Sequence, residues 1–255
     1  MNFLISNDDG IYSAGINALI EAITKFGNIY VVAPNNEKSA CGHGITVHTP
    51  IRVEKFKYTD DIPAWSIDGT PADCVKLGLT TLIKEDIDWV ISGINNGPNL
   101  GTDVFYSGTV AAALEGTLLG VPALAFSLCS FSSRDFSVSK KIVENICETL
   151  FKKKWSSDTL LNINIPYAKL DEIVGTKVTA LGIREYINNY EHRLDPRGKE
   201  YYWLTGQLVP PPLEKDLDIN AIRKKYVSIT PLQTNLTYLE KFSELNILGF
   251  QTRKF

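Results

Sequence analysis

Four short stretches of this chain carry side chains that can do chemistry together. Asn7-Asp8-Asp9-Gly10 sets two carboxylates side by side, and Ser39 offers a hydroxyl within the polar run 34–44. Ser92 to Gly101 holds three asparagines, Asn95, Asn96 and Asn99, and three glycines. Ser107-Gly108-Thr109 then leads into the small-residue run Val110-Ala111-Ala112-Ala113-Leu114-Glu115-Gly116. Adjacent carboxylates repel each other unless a cation sits between them. Two carboxylates, a hydroxyl and an amide carbonyl are hard oxygen donors, which suit Mg²⁺, Mn²⁺ or Ca²⁺ and not zinc. Free backbone N–H groups at a helix start attract an anion, so Ser107-Gly108-Thr109 is a candidate phosphate or carboxylate site. A cation with open positions acidifies water and offsets charge on a phosphoryl group. These pieces add up to metal-assisted hydrolysis of a phosphomonoester.

Such residues need a frame that gathers them. Phe3-Leu4-Ile5-Ser6 is predicted as a short buried strand, and Ile16, Leu19, Ile20 and Ile23 have helical spacing up to Gly27. Ile29 to Ala33 is the next strand, completing a β-α-β unit with parallel strands. Further strands are predicted at Ala64–Ile67, Trp89–Ile91, Val121–Phe126 and Leu160–Ile165. Helices are predicted from Pro71 to Leu82, from Val110 to Gly116 with Ser107 or Thr109 as N-cap, and from Ile142 to Lys153. Thr70 is expected to cap the helix that Pro71 opens, with Asp73 in its first turn. Strands alternating with helices predict an α/β fold, a Rossmann-like doubly wound, mostly parallel sheet. In that arrangement ligands sit beyond the carboxyl ends of the strands, where Asp8, Asp9, Ser39 and Asn95 to Asn99 all fall. After Pro166 aromatic and charged residues mix, Pro210-Pro211-Pro212 breaks the chain, and Tyr226–Thr230 reads as a strand. We therefore expect a catalytic core over 1–166 and, over 167–255, a β-rich arm that returns to the core. Its Tyr, Trp and Arg side chains suit a subunit interface.

Composition narrows the choices. At 255 residues, 44% hydrophobic and 22% charged, the chain is ordinary for a soluble globular protein. A net charge of −3 gives no electrostatic footprint for a nucleic-acid polymer or an anionic membrane. No run reaches the roughly 18 apolar residues of a membrane span, and the apolar start meets Asn7-Asp8-Asp9 too soon for a signal peptide. Cys41, Cys74, Cys129 and Cys147 form no C-x-x-C pair, which fits a reducing cytoplasm. No P-loop, no G-x-G-x-x-G opening a helix and no G-x-S-x-G is present. Ile67-Asp68-Gly69-Thr70 imitates a dehalogenase-type phosphatase motif, but Ser66 stands where its nucleophilic Asp belongs. His43 and His48 read as solvated loop residues, and His192 as an interface residue.

Several of these stretches resemble the SurE family. They are Asn7-Asp8-Asp9-Gly10, Ala33-Pro34 followed by Ser39, Gly69 to Val75, Ser92 to Gly116, Asp195-Pro196-Arg197-Gly198 and Val227 to Leu232. The resemblance runs in collinear order over nearly the whole chain. It implies a cytoplasmic 5′/3′-nucleotidase acting on nucleoside monophosphates, with one divalent cation per subunit, Mg²⁺ or Mn²⁺, and a homodimer or homotetramer. Asp8, Asp9, Ser39 and Asn95 would hold the metal, with Asp8 and Asp9 catalytic; Asn99, Ser107, Gly108 and Thr109 would hold the phosphate. The alternatives are an exopolyphosphatase acting on short polyphosphate and a non-catalytic nucleotide or phosphate sensor. The Ser39 loop, Asn35-Asn36-Glu37-Lys38-Ser39-Ala40, has Asn36 where the family more often has Arg, and Ala40 where it has Gly.

Overall fold

The computed structural model describes residues 1–58, 61–187, 190–209 and 216–248. The predicted break at Pro210-Pro211-Pro212 lies outside them. The chain begins with β1 (Asn2–Ser6), α1 (Ala14–Ile23), β2 (Asn28–Pro34), β3 (Val53–Lys57), β4 (Pro63–Ile67) and α2 (Pro71–Leu77). It continues with β5 (Trp89–Asn96), α3 (Gly108–Leu118), β6 (Ala123–Cys129), α4 (Ser137–Leu150) and β7 (Leu160–Pro166). The C-terminal part adds β8 (Gly175–Val178), β9 (Tyr186–Ile187), β10 (Tyr190–Leu194), β11 (Glu200–Leu204) and β12 (Gln207–Leu208). It ends in α5 (Asp218–Arg223), β13 (Tyr226–Leu232) and α6 (Lys241–Ile247).

A nine-stranded sheet in the order β3-β4-β2-β1-β5-β6-β7-β13-β8 forms the centre. Strands β4, β2, β1, β5, β6 and β7 are parallel; β3 and β13 run antiparallel to β4 and β7. Counted in chain order, the parallel strands lie 3-2-1-4-5-6, the Rossmann arrangement, and the expected doubly wound fold is present. Strand alternation sends Phe3, Ile5 and Ile91 into one core with Ile16, Leu19, Val143 and Ile146 of α1 and α4. Leu4 and Val90 face the other way, toward Cys74 and Val75 of α2 and Val110, Ala112 and Ala113 of α3. Each such fully buried aliphatic side chain contributes about 2 kcal/mol, so both faces are held by burial. Ala111, Ala112 and Ala113 are all buried, as expected for a helix pressed onto a sheet.

The differences from the predicted elements have local causes. Strand β5 continues to Asn96, because Asn95 and Asn96 still pair with Ser127 and Leu128 after an irregularity beyond Ser92. Two of the three asparagines assigned to a loop therefore belong to the strand end. Helix α2 ends at Leu77 and a wider turn covers 78–82, where Gly78 is no asset to a helix. Helix α4 ends at Leu150, short of Lys153. The edge strand β3 was not expected, since its residues are mostly exposed and lack an apolar alternation. Thr70 caps α2 as predicted, with Asp73 completing a reciprocal capping box. In the C-terminal part, β10 and β11 form a hairpin whose residues are all exposed. Among the described residues no helix is long and apolar enough to cross a membrane.

Candidate functional site

Strands β1 and β5 are neighbours from which the chain winds in opposite directions, and folds of this kind bind ligands beyond the carboxyl ends at such a switch point. Asp8 and Asp9 follow the end of β1, and Asn95 and Asn96 finish β5 beside them. Asp8 is 4% exposed, and its Oδ1 accepts a short hydrogen bond from the Thr109 hydroxyl. Its backbone carbonyl accepts from Lys38 N at 2.7 Å, which draws in the loop after β2. A Cβ on Gly108 would lie 2.7 Å from Asp8 Cβ and 3.1 Å from Cys41 Sγ, so only glycine lets α3 begin this close to the carboxylate. Asp9 Oδ2 accepts from Asn96 N at 3.1 Å, tying the second carboxylate to β5.

Both carboxyls are harder to ionise than usual. Burial pushes Asp8 up to about 6; the Thr109 hydroxyl pulls the other way, and the charge of Asp9 adds to the rise. Burial also raises Asp9, opposed by the Asn96 N–H, with Glu37 raising it further and Arg134 lowering it. Three buried oxygens nearby, Ser6 Oγ and Asn7 Oδ1 at the end of β1 and Ser92 Oγ opposite Ser6 on β5, have no hydrogen-bond partner among the described residues. Interior oxygens of this kind are normally satisfied by water or an ion. Asn95 donates its amide N–H to Gly97 O at 2.9 Å, which orients the side chain and leaves Oδ1 as an acceptor. Among the described residues no three His, Cys, Asp or Glu side chains converge as a metal cluster. The donor set is thus two carboxylates plus neutral oxygens, which fits a hard cation that keeps water or substrate in its remaining positions.

The other predicted residues divide in two. Ser107 is the N-cap of α3, its Oγ accepting from Val110 N at 3.0 Å, whereas Thr109 turns to Asp8 instead. Asn99 is buried and held from three sides. Its N–H donates to Asn164 Oδ1 at 2.9 Å and its side chain to Ser127 Oγ at 2.8 Å; its carbonyl accepts from Asn162 and Asn164 at 2.8 and 2.9 Å. Ser39 is different: it lies on the exposed part of its loop and donates its hydroxyl to Glu37 Oε1 at 2.6 Å. It reaches the carboxylates only through the neighbouring Lys38 contact.

Sequence reasoning missed the residues that hold these groups. Asn162 and Asn164 alternate with buried aliphatics in β7, and polar residues on one face of a central strand were the available signal. His43 is not free in solvent: its Nε2 lies 2.8 Å from the buried Glu115 Oε2, and Lys76 Nζ lies 2.8 Å from Glu115 Oε1. His48 is exposed, and His192 sits on the β10–β11 hairpin with Nε2 3.9 Å from Glu200. The Ile67-Asp68-Gly69-Thr70 imitation does capping work, with Thr70 Oγ1 also donating to Gly44 O at 2.7 Å.

Fold and site together define a doubly wound α/β protein with paired carboxylates facing a helix N-terminus across its switch point. Residues 3–188 match the family model described as Survival protein SurE. A protein of Trichodesmium erythraeum named 5′-nucleotidase SurE is 47% identical over 250 residues, covering 93% of each chain. One of the same name from a Synechococcus species is 47% identical over 259 residues, covering 100% of both. The crystal structure of the SurE protein from Aquifex aeolicus superposes with a TM-score of 0.85 at 40% identity, over 98% of this chain and 100% of that one. The chain belongs to the SurE family.

Proposed function

We propose that this protein is a divalent-metal-dependent 5′-nucleotidase that releases phosphate from nucleoside monophosphates, 3′ as well as 5′. The carrying observation is the seating of the buried Asp8 carboxylate, with Asp9 beside it, directly against the Gly108-Thr109 start of α3. This seating supports a cation-binding and an anion-binding half that would meet at one side chain. Asp8, Asp9, Asn95 Oδ1 and the Ser39 hydroxyl would hold one Mg²⁺ or Mn²⁺ per subunit. When bound, that cation supplies positive charge to the phosphoryl oxygens and lowers the pKa of a water molecule. The backbone N–H groups at the start of α3, with the Ser107 cap and Asn99, bind and orient the phosphate. Thr109 holds Asp8 in its rotamer, and Asp9 is held by the end of β5. Asp8 and Asp9 are also the groups placed to take a proton from an attacking water.

Residues 1–166 act as the catalytic core in this reading, and 167–255 as an extension whose arm joins two or four copies while β8, α5 and β13 return to the core. Exposed Tyr190, Leu194, Tyr202, Trp203 and Leu204 on the hairpin support an interface between copies in the cytoplasm. The test is phosphate release from 5′- and 3′-nucleoside monophosphates and tripolyphosphate by metal-stripped protein, with Mg²⁺, Mn²⁺, Ca²⁺ or Zn²⁺ added back. Release from the monophosphates with Mg²⁺ or Mn²⁺ is expected. A strong preference for tripolyphosphate would make the protein an exopolyphosphatase, and tight nucleotide binding without release would make it a sensor.

A further inference from the structure

The segment that links the two phosphate-binding positions, Asn99 and Ser107, is gripped at its middle by the C-terminal part of the chain. Asp218, the first residue of α5, is completely buried. Its carboxylate is spent on three backbone N–H groups: Oδ2 accepts from Gly101 at 2.7 Å, and Oδ1 accepts from Gly182 at 2.9 Å and from Ile219 at 2.8 Å. Gly101 has φ +54°, and a Cβ there would lie 2.5 Å from Gly182 O, so the two backbones are pressed together. The contact is extended by Arg184, whose Nη1 lies 2.8 Å from Asp103 Oδ2, and by Tyr186, whose hydroxyl donates to the same oxygen at 2.7 Å.

A buried carboxylate shared among backbone N–H groups of three separate positions is a costly way to close a loop unless its exact placement matters. Among the described contacts the Gly101 N–H has the Asp218 carboxylate as its partner. Asn99, upstream, is fixed by β6 and β7, and Ser107, downstream, by α3; the turn between them, 101–105, is tied to the C-terminal part by Asp218 at Gly101, by the Arg184 backbone at the Thr102 hydroxyl, and by Arg184 and Tyr186 at Asp103.

We propose that Asp218 is a positioning residue for the phosphate-binding segment 99–109, so that the site is complete only when the root of the C-terminal arm is docked. This rests on the assignment of that segment to phosphate. Asp218→Asn in the full chain is the discriminating change. The amide oxygen can keep the Gly182 and Ile219 N–H groups, while its NH₂ must face the Gly101 N–H, donor against donor.

In Asp218→Asn, kcat/KM for a nucleoside monophosphate should fall by about tenfold or more, as expected for a misplaced binding element. Inhibition by inorganic phosphate should weaken in parallel, while Mn²⁺ affinity, read by electron paramagnetic resonance without substrate, stays within about twofold. Amide exchange should speed up over 99–107 and not in β1 or β5. Unchanged kcat/KM, phosphate inhibition and exchange in a folded variant would overturn the proposal, as would an equal loss of Mn²⁺ affinity. If Asp218→Asn does not fold, Asp103→Asn, which loosens the same docking at Arg184 and Tyr186, should shift the same readouts in the same direction by less. No shift there would also overturn it. Wild-type protein that releases no phosphate with any metal would instead defeat the functional reading, and amide exchange would still decide the role of Asp218.

Discussion

The two loops that meet at Asp8 are built in opposite ways. Segment 99–109 is buried at both ends, with Phe105 and Tyr106 exposed between them, and is clamped: Asn99 by Asn162, Asn164 and Ser127, Gly101 by Asp218, Thr109 by Asp8. The loop after β2 is exposed from Asn36 to Ala40, apart from a half-buried Lys38, and is fastened only at its two sides. Lys38 N reaches Asp8 O, and further on Gly42 N donates to Tyr106 O at 3.0 Å, His43 meets Glu115, and Thr46 N donates to Asp73 at 3.0 Å. Ser39 lies in the loose span between. The difference teaches that the segment proposed to bind phosphate is shaped before anything binds, whereas the proposed cation site has one side that would have to adjust.

The largest effects should come from the point the two halves share. Asp8→Asn should lower turnover by at least about a thousandfold with fold and oligomer intact, because in the proposed site it would remove a charged ligand and a proton acceptor at once. The same change should stabilise the metal-free protein. The Asp8 carboxyl is raised by burial from 3.8 to about 6. A raised pKa means the native state prefers the protonated form, so its contribution is full below about pH 4 and lost as pH rises through about 6. The loss is about 3 kcal/mol at roughly 1.4 kcal/mol per pKa unit. Urea midpoints in EDTA should therefore fall for wild type between those pH values and stay nearly level for the variant, apart from the slope left by Asp9. Equal slopes would remove Asp8 from the account.

Gly108→Ala comes next. Its Cβ would meet Asp8 Cβ at 2.7 Å, so the helix start and the carboxylate must move apart. A displacement near 1 Å at a reacting centre costs about a hundredfold in kcat/KM. Full activity in this variant would mean that the clamped half is softer than its contacts suggest. Asn164→Ala tests the support from the sheet. It removes the partners of Asn99 N–H and of one Asn99 carbonyl bond, at about 1–3 kcal/mol of stability. Activity should drop by about tenfold, mainly through KM, with Mn²⁺ affinity preserved. A drop in Mn²⁺ affinity instead would show that the two halves are not separate.

Much of this was legible in the residues, and the exceptions are instructive. Helical and strand periodicities placed the parallel core, and the strand-end carboxylates marked the candidate site, because both are local patterns that can be read without the fold. Strand β5 was cut short because Gly93 and the asparagines look like a loop, and only pairing with β6 shows that the strand goes on. Edge strand β3 has no buried face to advertise it. The holders of the site, Asn162, Asn164 and Asp218, lie at least 63 residues from what they hold, and no local pattern links Asp218 to Gly101 across 117 positions. Glu115 reads as an ordinary helix glutamate until the fold sets His43 and Lys76 on either side of it.

The smallest effect should come from the loose side. The Ser39 hydroxyl donates to Glu37 Oε1, and Ala40 beside it has φ +57°, a conformation that costs a non-glycine residue about 1 kcal/mol. The Ser39 hydroxyl can keep its bond to Glu37 and still offer an oxygen lone pair, so what it would add to a cation near Asp8 and Asp9 is one neutral oxygen beside two charges. Ser39→Ala should therefore weaken Mn²⁺ binding by only about threefold to tenfold and leave kcat at saturating metal within about twofold. Ala40→Gly should act in the opposite sense, since glycine takes the left-handed conformation without penalty and leaves the loop free to settle on the cation. Titration of both variants with Mn²⁺, followed by phosphate release at each concentration, separates affinity from turnover. A Ser39→Ala loss as large as that of Gly108→Ala would show that the loop after β2 is as tightly placed as the phosphate segment.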